Sequence, residues 1–257
     1  MYVLFPPVTS GYLINHLDPQ DLSMGATYIP SLAGLRQSVD AMAVIPVTSA
    51  LLGPVVGLAA AKAVIGHFSV IVKGLGQLFA AGPPVVRQAT FEDLSKEALG
   101  GWEIHGTNGT VDNVAETEEE AFEQIRKFLS YLPNSIFALP PASSTSDSRD
   151  RKEEELLSII PRRRSRQYDI RKLVGLVVDR EGSTGKTSFF ELGATWGRNI
   201  VTGFARLDGK SVGVLTSDCK FNGGISTVKY LLSRLIEQYR RDGCFWQPED
   251  NSLRQSL

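Results

Sequence analysis

Cysteine is nearly missing from this chain, with two residues among 257, Cys219 and Cys244. Two thiols in no metal-type spacing exclude a disulfide framework and a structural zinc site, and an intracellular, reducing compartment is the expectation. Histidine is equally scarce: His16, His67 and His105 are scattered, so no metal cluster is expected. Net charge is also missing, since 27 basic residues face 28 acidic ones. No global field exists to gather nucleic acid or an anionic membrane, and neither is expected as a partner. Met1 to Pro7 has no basic region and no adequate apolar run, so it does not read as a secretory signal. Long apolar runs are reduced to one, Ala41 to Ala61, which is uncharged and of membrane-spanning length. Pro46, Gly53 and Pro54 would break a single helix there twice, and Val44 to Leu52 is β-branched enough for a strand. A buried strand, a Gly-Pro turn and an Ala-rich helix account for it better than a membrane span.

What is present divides into three parts. Residues 1–141 alternate strand, turn and helix in the α/β manner. Val44 to Leu52 reads as a buried strand, Pro54 as the first turn of a helix reaching Ile65, and His67 to Val72 as a second strand ended by Gly74 and Gly76. Pro83 and Pro84 after Gly82 open a short helix, and Thr90-Phe-Glu-Asp resembles a capping box that starts another. Thr117 to Leu132 is the clearest helix: Glu118, Glu119 and Glu120 fill its first turn, Ala121, Ile125, Phe128 and Leu132 recur at helical spacing, and Pro133 stops it. Residues 142–166 form a charged linker, led by Pro140-Pro-Ala-Ser-Ser and expected to be exposed and mobile. Its end, Arg162-Arg-Arg-Ser-Arg166, reads as a solvated basic turn or as a contact for phosphate or an acidic partner. In residues 167–257, Ile170 to Val178 is an apolar run of either helix or strand type. Phe189 to Leu192 and Ile200 to Leu207 read as strands, Asp208-Gly209 as a hairpin turn, and Ser211 to Thr216 as the returning strand. Val228 to Tyr239 is amphipathic and a polar tail follows. No internal repeat is visible.

Three motifs fail. Arg180-Glu-Gly-Ser-Thr-Gly-Lys-Thr imitates a phosphate loop but has arginine where the first glycine must stand, so it reads as an exposed loop. No G-x-S-x-G nucleophile elbow occurs. Asn108-Gly-Thr is a glycosylation sequon without use in an intracellular chain.

The informative signal is a series of segments in one order. Gly53-Pro-Val-Val-Gly-Leu-Ala-Ala-Ala-Lys-Ala-Val-Ile-Gly-His-Phe is followed by Gly82-Pro-Pro-Val-Val, Leu99-Gly-Gly-Trp-Glu-Ile-His105, Gly109-Thr-Val-Asp112 and Leu129-Ser-Tyr-Leu-Pro133. Beyond the linker come Tyr168-Asp-Ile-Arg171, Phe189-Phe-Glu-Leu192 and Trp196 to Val214. From about Val44 to Gly224 the chain resembles the carboxyltransferase (beta) subunits of the biotin-dependent propionyl-, acetyl- and methylcrotonyl-CoA carboxylases and related decarboxylases. Against that family it looks truncated at both ends, with an incomplete N-terminal domain (1–141) and the start of a second, similar domain (167–257). The resemblance implies an α/β, crotonase-like (ClpP/crotonase) ββα superhelix. It implies transfer of a carboxyl group from carboxybiotin, carried on a partner subunit, to the α-carbon of an acyl-CoA. The implied partners are the biotin carboxylase or biotin carrier subunit and further copies of the chain in a homo-oligomer. The implied compartment is the cytoplasm, or the mitochondrial matrix in a eukaryote.

In such chemistry the developing charge is an enolate oxygen, best met by preset backbone N–H groups. The resemblance places that role on the amides of Gly57 and Leu58, and acyl-CoA binding on Gly53, Pro54, Gly82, Gly101 and His105. Glycine serves close approach of a ligand and tight strand–helix packing equally well, so both meanings stay open for these positions. His105 reads either as a seat for acyl-CoA or as a hydrogen-bonded structural histidine, and Trp102 and Trp196 as core or contact residues. The chain departs from the family's pattern at three points. Gly57-Leu58 stands for Gly-Gly, Ala61-Lys62-Ala63 for Tyr-Ser-Pro, and His67 for an acidic residue. Upstream, only Met24-Gly-Ala26 resembles the family's D-S-G-G-A turn. The expected function is the carboxyltransferase component of an acyl-CoA carboxylase. The alternative is a non-catalytic, truncated homologue acting as an assembly module.

Overall fold

The computed structural model describes residues 35–148, 150–163, 165–181 and 185–221. His16, the Met24–Ala26 turn, Gly223-Gly224, the amphipathic stretch at 228–239 and Cys244 lie outside the described residues. After α1 (Leu35–Met42), the chain runs through two strand–strand–helix units: β1 (Thr48–Leu51), β2 (Pro54–Val56) and α2 (Leu58–Val64), then β3 (Phe68–Val72), β4 (Gln77–Phe79) and α3 (Pro83–Thr90). Two short helices, α4 (Lys96–Gly100) and α5 (Trp102–His105), precede β5 (Asn113–Ala115) and α6 (Glu118–Ser130). The first strands of the units align in parallel as β1-β3-β5, while β2 and β4 pair in parallel as a separate ladder. This is the crotonase-like ββα winding that the resemblance implied. The repeat is structural: no sequence periodicity announces it.

Beyond a coil that includes one 3-10 turn, α7 (Ile170–Val177) leads to the hairpin β6 (Arg180–Glu181) and β7 (Lys186–Thr187). It is followed by the antiparallel sheet of β8 (Phe190–Leu192), β9 (Ile200–Leu207) and β10 (Lys210–Ser217). Asp208 and Gly209, both at positive φ (53° and 74°), close the β9–β10 hairpin as the Asp-Gly pair predicts. The two parts share one core. Phe68 and Phe128 stack at 4.8 Å, Phe190 meets Phe68 edge-on at 5.7 Å, and Phe204 packs on both Phe128 and Tyr131. Asn113 at the edge of β5 extends the join: its amide donates to the Glu191 carbonyl and its oxygen accepts the Gly193 N–H at 3.0 Å.

Four expectations are corrected. Pro54 does not begin a helix; it begins β2, because the ladder with β4 captures it, and the helix starts four residues later at Leu58. Thr90 ends α3 instead of capping a new helix. Its hydroxyl donates back to the Val86 carbonyl, and the following cap is Ser95, which accepts the Ala98 N–H. The apolar run at Ile170 is helical because Asp169 caps it through the Lys172 N–H. The linker is not simply solvated. Arg151 donates to the Leu176 and Val178 carbonyls at the end of α7 and pairs with Asp147 and Glu153, so burial of two backbone acceptors ties it to the second part. Among the described residues no helix is long and apolar enough to cross a membrane.

Candidate functional site

The carboxyl ends of β2 and β4 are level, because Val56 pairs with Phe79. Beyond them both chains turn outward, β2 through Gly57 into α2 and β4 through Gly82 into α3. Ligands of α/β folds settle at this kind of edge, where strand ends and helix starts meet. Gly57 has φ 63° and ψ −129°, a backbone conformation open to glycine and strained for any residue with a Cβ. Nothing crowds it, as the nearest atom to an added Cβ would be the Ala80 carbonyl oxygen at 3.9 Å. Backbone path, not packing, requires glycine here.

The N–H groups at this edge are unequal. Gly57 donates to the Phe79 carbonyl at 3.2 Å, continuing the β2–β4 ladder, so the sequence-based assignment of an oxyanion donor to Gly57 is corrected by a strand pairing that the sequence did not reveal. Pro83 and Pro84 have no N–H to offer, and α3's next two, Val85 and Val86, both turn back to the Gly82 carbonyl. In α2 the first intrahelical bond is Ala61 N–H to the Gly57 carbonyl at 3.1 Å, which leaves the amides of Leu58, Ala59 and Ala60 ahead of it without a helical acceptor. The edge is open: Val56 and Leu58 are 46% and 40% exposed. Next to Gly82, Pro83 and Pro84 begin a surface hollow of about 610 Å³ whose other lining residues are Arg87, Gln88, Phe91 and Asp93.

The remaining predicted residues divide. Gly53 lies before β2, its carbonyl accepting the Gln77 N–H at 3.2 Å, and a Cβ there would meet nothing within 4 Å. Pro54 is exposed at the start of β2. Gly100 and Gly101 are packing glycines: a Cβ on Gly100 would collide with the Leu78 carbonyl, and one on Gly101 with Glu97. His105 reaches the same Leu78 carbonyl through Nε2 at 2.6 Å, which places the ring proton on Nε2, while Nδ1 is buried with no partner among the described residues. Gly101 and His105 therefore brace β4 from α4 and α5, and the structure does not bring them to the strand-end edge beside Gly57. His67 accepts the Val47 N–H through Nδ1 at 3.1 Å and is buried. Trp102 receives Lys73 over its ring at 4.5 Å, and Trp196 lies against Gly109 in the join between the two parts.

Sequence reasoning missed a second buried construction. Arg171 holds Glu191 through two bonds of 2.7 and 2.6 Å and reaches Asp218, 1% exposed, at 2.6 Å. Glu191 holds the Arg171 guanidinium in its charged state, with Asp218 adding to it against the opposing effect of burial. The segments carrying these residues had been noticed, but nothing local showed that their charges meet.

Comparison with known proteins follows this geometry. Residues 33–232 match the family described as carboxyl transferase domain. The propionyl-CoA carboxylase carboxyltransferase subunit of Haloferax mediterranei is 35% identical over 201 residues, 76% of this chain and 38% of the relative. The human mitochondrial propionyl-CoA carboxylase beta chain is 33% identical over the same 76% of this chain and 36% of its own length. Transcarboxylase 12S, solved as a hexamer assembly with hydrolysed methylmalonyl-coenzyme A bound, superposes with a TM-score of 0.66 at 29% identity over 73% of this chain and 36% of that one. The chain thus spans a little over a third of the length of these curated relatives.

Proposed function

The chain belongs to the carboxyl transferase domain family, and from that premise we propose that it is part of the carboxyltransferase component of a biotin-dependent acyl-CoA carboxylase, with its strand-end edge as the acyl-CoA site. The observation that carries this reading is the open edge itself, where the amides of Leu58 and Ala59 lie ahead of the first helical bond and beside the exposed Leu58 side chain. A thioester oxygen laid there receives N–H groups already fixed in place. They stabilise the enolate oxygen more than the ground-state carbonyl, because charge grows on it as the α-proton leaves. Gly53, Pro54 and Gly82 flank the approach, and the hollow from Pro83 to Asp93 offers room along the same edge for the body of coenzyme A. Gly101 and His105 act one step back, by fixing β4 and so the Phe79 carbonyl that orients Gly57.

The edge fits a biotin delivered by another subunit, since it faces outward and its wall is apolar at Val56 and Leu58. Biotin supplies the carboxyl group when bound, and the chain's own part is to orient the thioester and hold its charge. A homo-oligomer with a biotin carrier partner, in the cytoplasm or the mitochondrial matrix, is the setting that suits this reading.

The test is reverse exchange with purified protein, free biotin and a carboxylated acyl-CoA. Formation of decarboxylated acyl-CoA that depends on biotin supports the reading. Co-purification with a biotinylated subunit but no exchange, at saturating substrate, supports the assembly module in its place.

A further inference from the structure

We infer that Lys62 is the specificity-determining residue for the carboxylate that this site transfers. The inference rests on the acyl-CoA reading above and adds a charge to it. The face that α2 turns away from the core is Leu58, Ala61, Lys62 and Ile65, while Ala60 and Ala63 are buried. Three of those four outward residues are apolar, with Leu58 and Ile65 40% and 41% exposed. Lys62 is the one charge on the strip, half-buried, and no carboxylate among the described residues pairs with it. A cation set into an apolar surface without a counter-charge is poised for an anion that arrives from outside.

Direction selects which anion. Helical side chains lean toward the helix N-terminus, so Lys62 covers the turn before it, the turn of Leu58. Four residues advance the helix by about 6 Å, a span that the flexible four-carbon stem of lysine covers. An ammonium group returning over Leu58 stands beside the amides that take the thioester oxygen. In a malonyl-type thioester the carboxylate is one carbon from the thioester carbonyl, so with that oxygen on the amides the carboxylate falls beside the same turn. An uncarboxylated acyl-CoA has nothing charged there. The family's pattern has serine where this chain has Lys62, so the charge is this chain's own addition, and one effect is tighter holding of the carboxylated member of the pair.

The experiment is calorimetric titration of the purified chain with malonyl-CoA and acetyl-CoA, the smallest pair differing by the carboxylate, for the parent, Lys62→Met and Lys62→Arg. Lys62→Met keeps length and helix preference, and a thermal melt confirms that each variant folds. The expected result is a loss of about tenfold in affinity for malonyl-CoA with Lys62→Met, a change within about twofold for acetyl-CoA, and partial recovery with Lys62→Arg, as suits one charge-assisted contact. Equal loss for both ligands would overturn the inference by placing Lys62 on the body of coenzyme A, and no loss for either would overturn it as well. Failure of the parent chain to bind either thioester is a different outcome: it removes the acyl-CoA reading and this inference with it.

Discussion

The N–H of Gly57 is held by the carbonyl of Phe79 at 3.2 Å, so the residue that lets the chain turn outward is itself part of a β-ladder. That bond fixes the start of α2 relative to β4, and with it the direction of the Leu58 and Ala59 amides. The site is built by a strand pairing and depends little on the helix it opens.

Gly57→Ala is expected to destabilise the chain by about 1–3 kcal/mol, since alanine pays the strain of φ 63° and ψ −129° without any packing gain. Urea denaturation of the two proteins measures this, and a fall in acyl-CoA affinity accompanies it because the turn relaxes away from β4.

Phe91 caps α3 in the left-handed conformation (φ 63°) and is 89% exposed. Phe91→Gly is expected to raise stability by up to about 1 kcal/mol, because glycine takes that cap without strain and little buried surface is lost. A lower melting temperature would show that the ring makes a contact worth more than the strain.

Arg206, 8% exposed, donates to the carbonyls of Ser130 (2.7 Å), Pro141 (3.3 Å) and Gly209 (3.4 Å) and stands 4.9 Å from the centre of the Tyr131 ring. It binds the end of α6, the start of the linker and the β9–β10 turn into one unit. Arg206→Met keeps the stem but leaves these acceptors unanswered, at an expected cost of about 2–3 kcal/mol. Urea midpoints test it, and limited proteolysis of the linker should quicken.

Two groups set the pH limits of stability, and the signs differ. Burial, and then the charge of Glu181, push the Tyr131 phenol far above its ordinary value near 10, against a smaller pull from Arg206. A raised folded value means that its contribution is complete below about pH 10 and is lost as pH climbs further. Tyr131→Phe should therefore melt less steeply with pH in alkaline solution than the parent. At Asp147 burial raises the carboxyl, but the Arg180 N–H and the Arg151 guanidinium outweigh it and hold the group below the usual carboxylate range. Its contribution is present above about pH 4 and fades as pH falls through the depressed folded value. The stability difference between the parent and Asp147→Asn should shrink over that acid range.

Much of the fold could be read locally. Thr117 capping Glu120, with Ala121, Ile125 and Phe128 on one face, announced α6, and Asp208-Gly209 between alternating residues announced the β9–β10 hairpin. The readings that failed all turned on pairings distant in sequence. Gln77–Phe79 is too short to show any periodicity, yet without it neither the strand character of Pro54 nor the fate of the Gly57 N–H can be deduced. His105 and Gly100 look like site residues by spacing, and only the shared Leu78 carbonyl shows that they hold β4. The position of Leu58 was legible because glycine punctuates the chain before it. Lys62 had a visible signal, the four-residue spacing from Leu58, that becomes meaningful once α2 is known to begin at Leu58 and not at Pro54.

Removing one N–H and nothing else tests the central claim most directly. Proline is tolerated at the first position of a helix, so Leu58→Pro deletes that amide while Leu58→Ala retains it and controls for the lost side chain. Biotin-dependent exchange is measured for both variants beside the parent, with melting temperatures as the check on folding. The account predicts that Leu58→Ala keeps most of the activity and Leu58→Pro loses about 100-fold or more, the usual consequence of losing one oxyanion donor. Equal exchange rates for the proline and alanine variants, both folded, would contradict it.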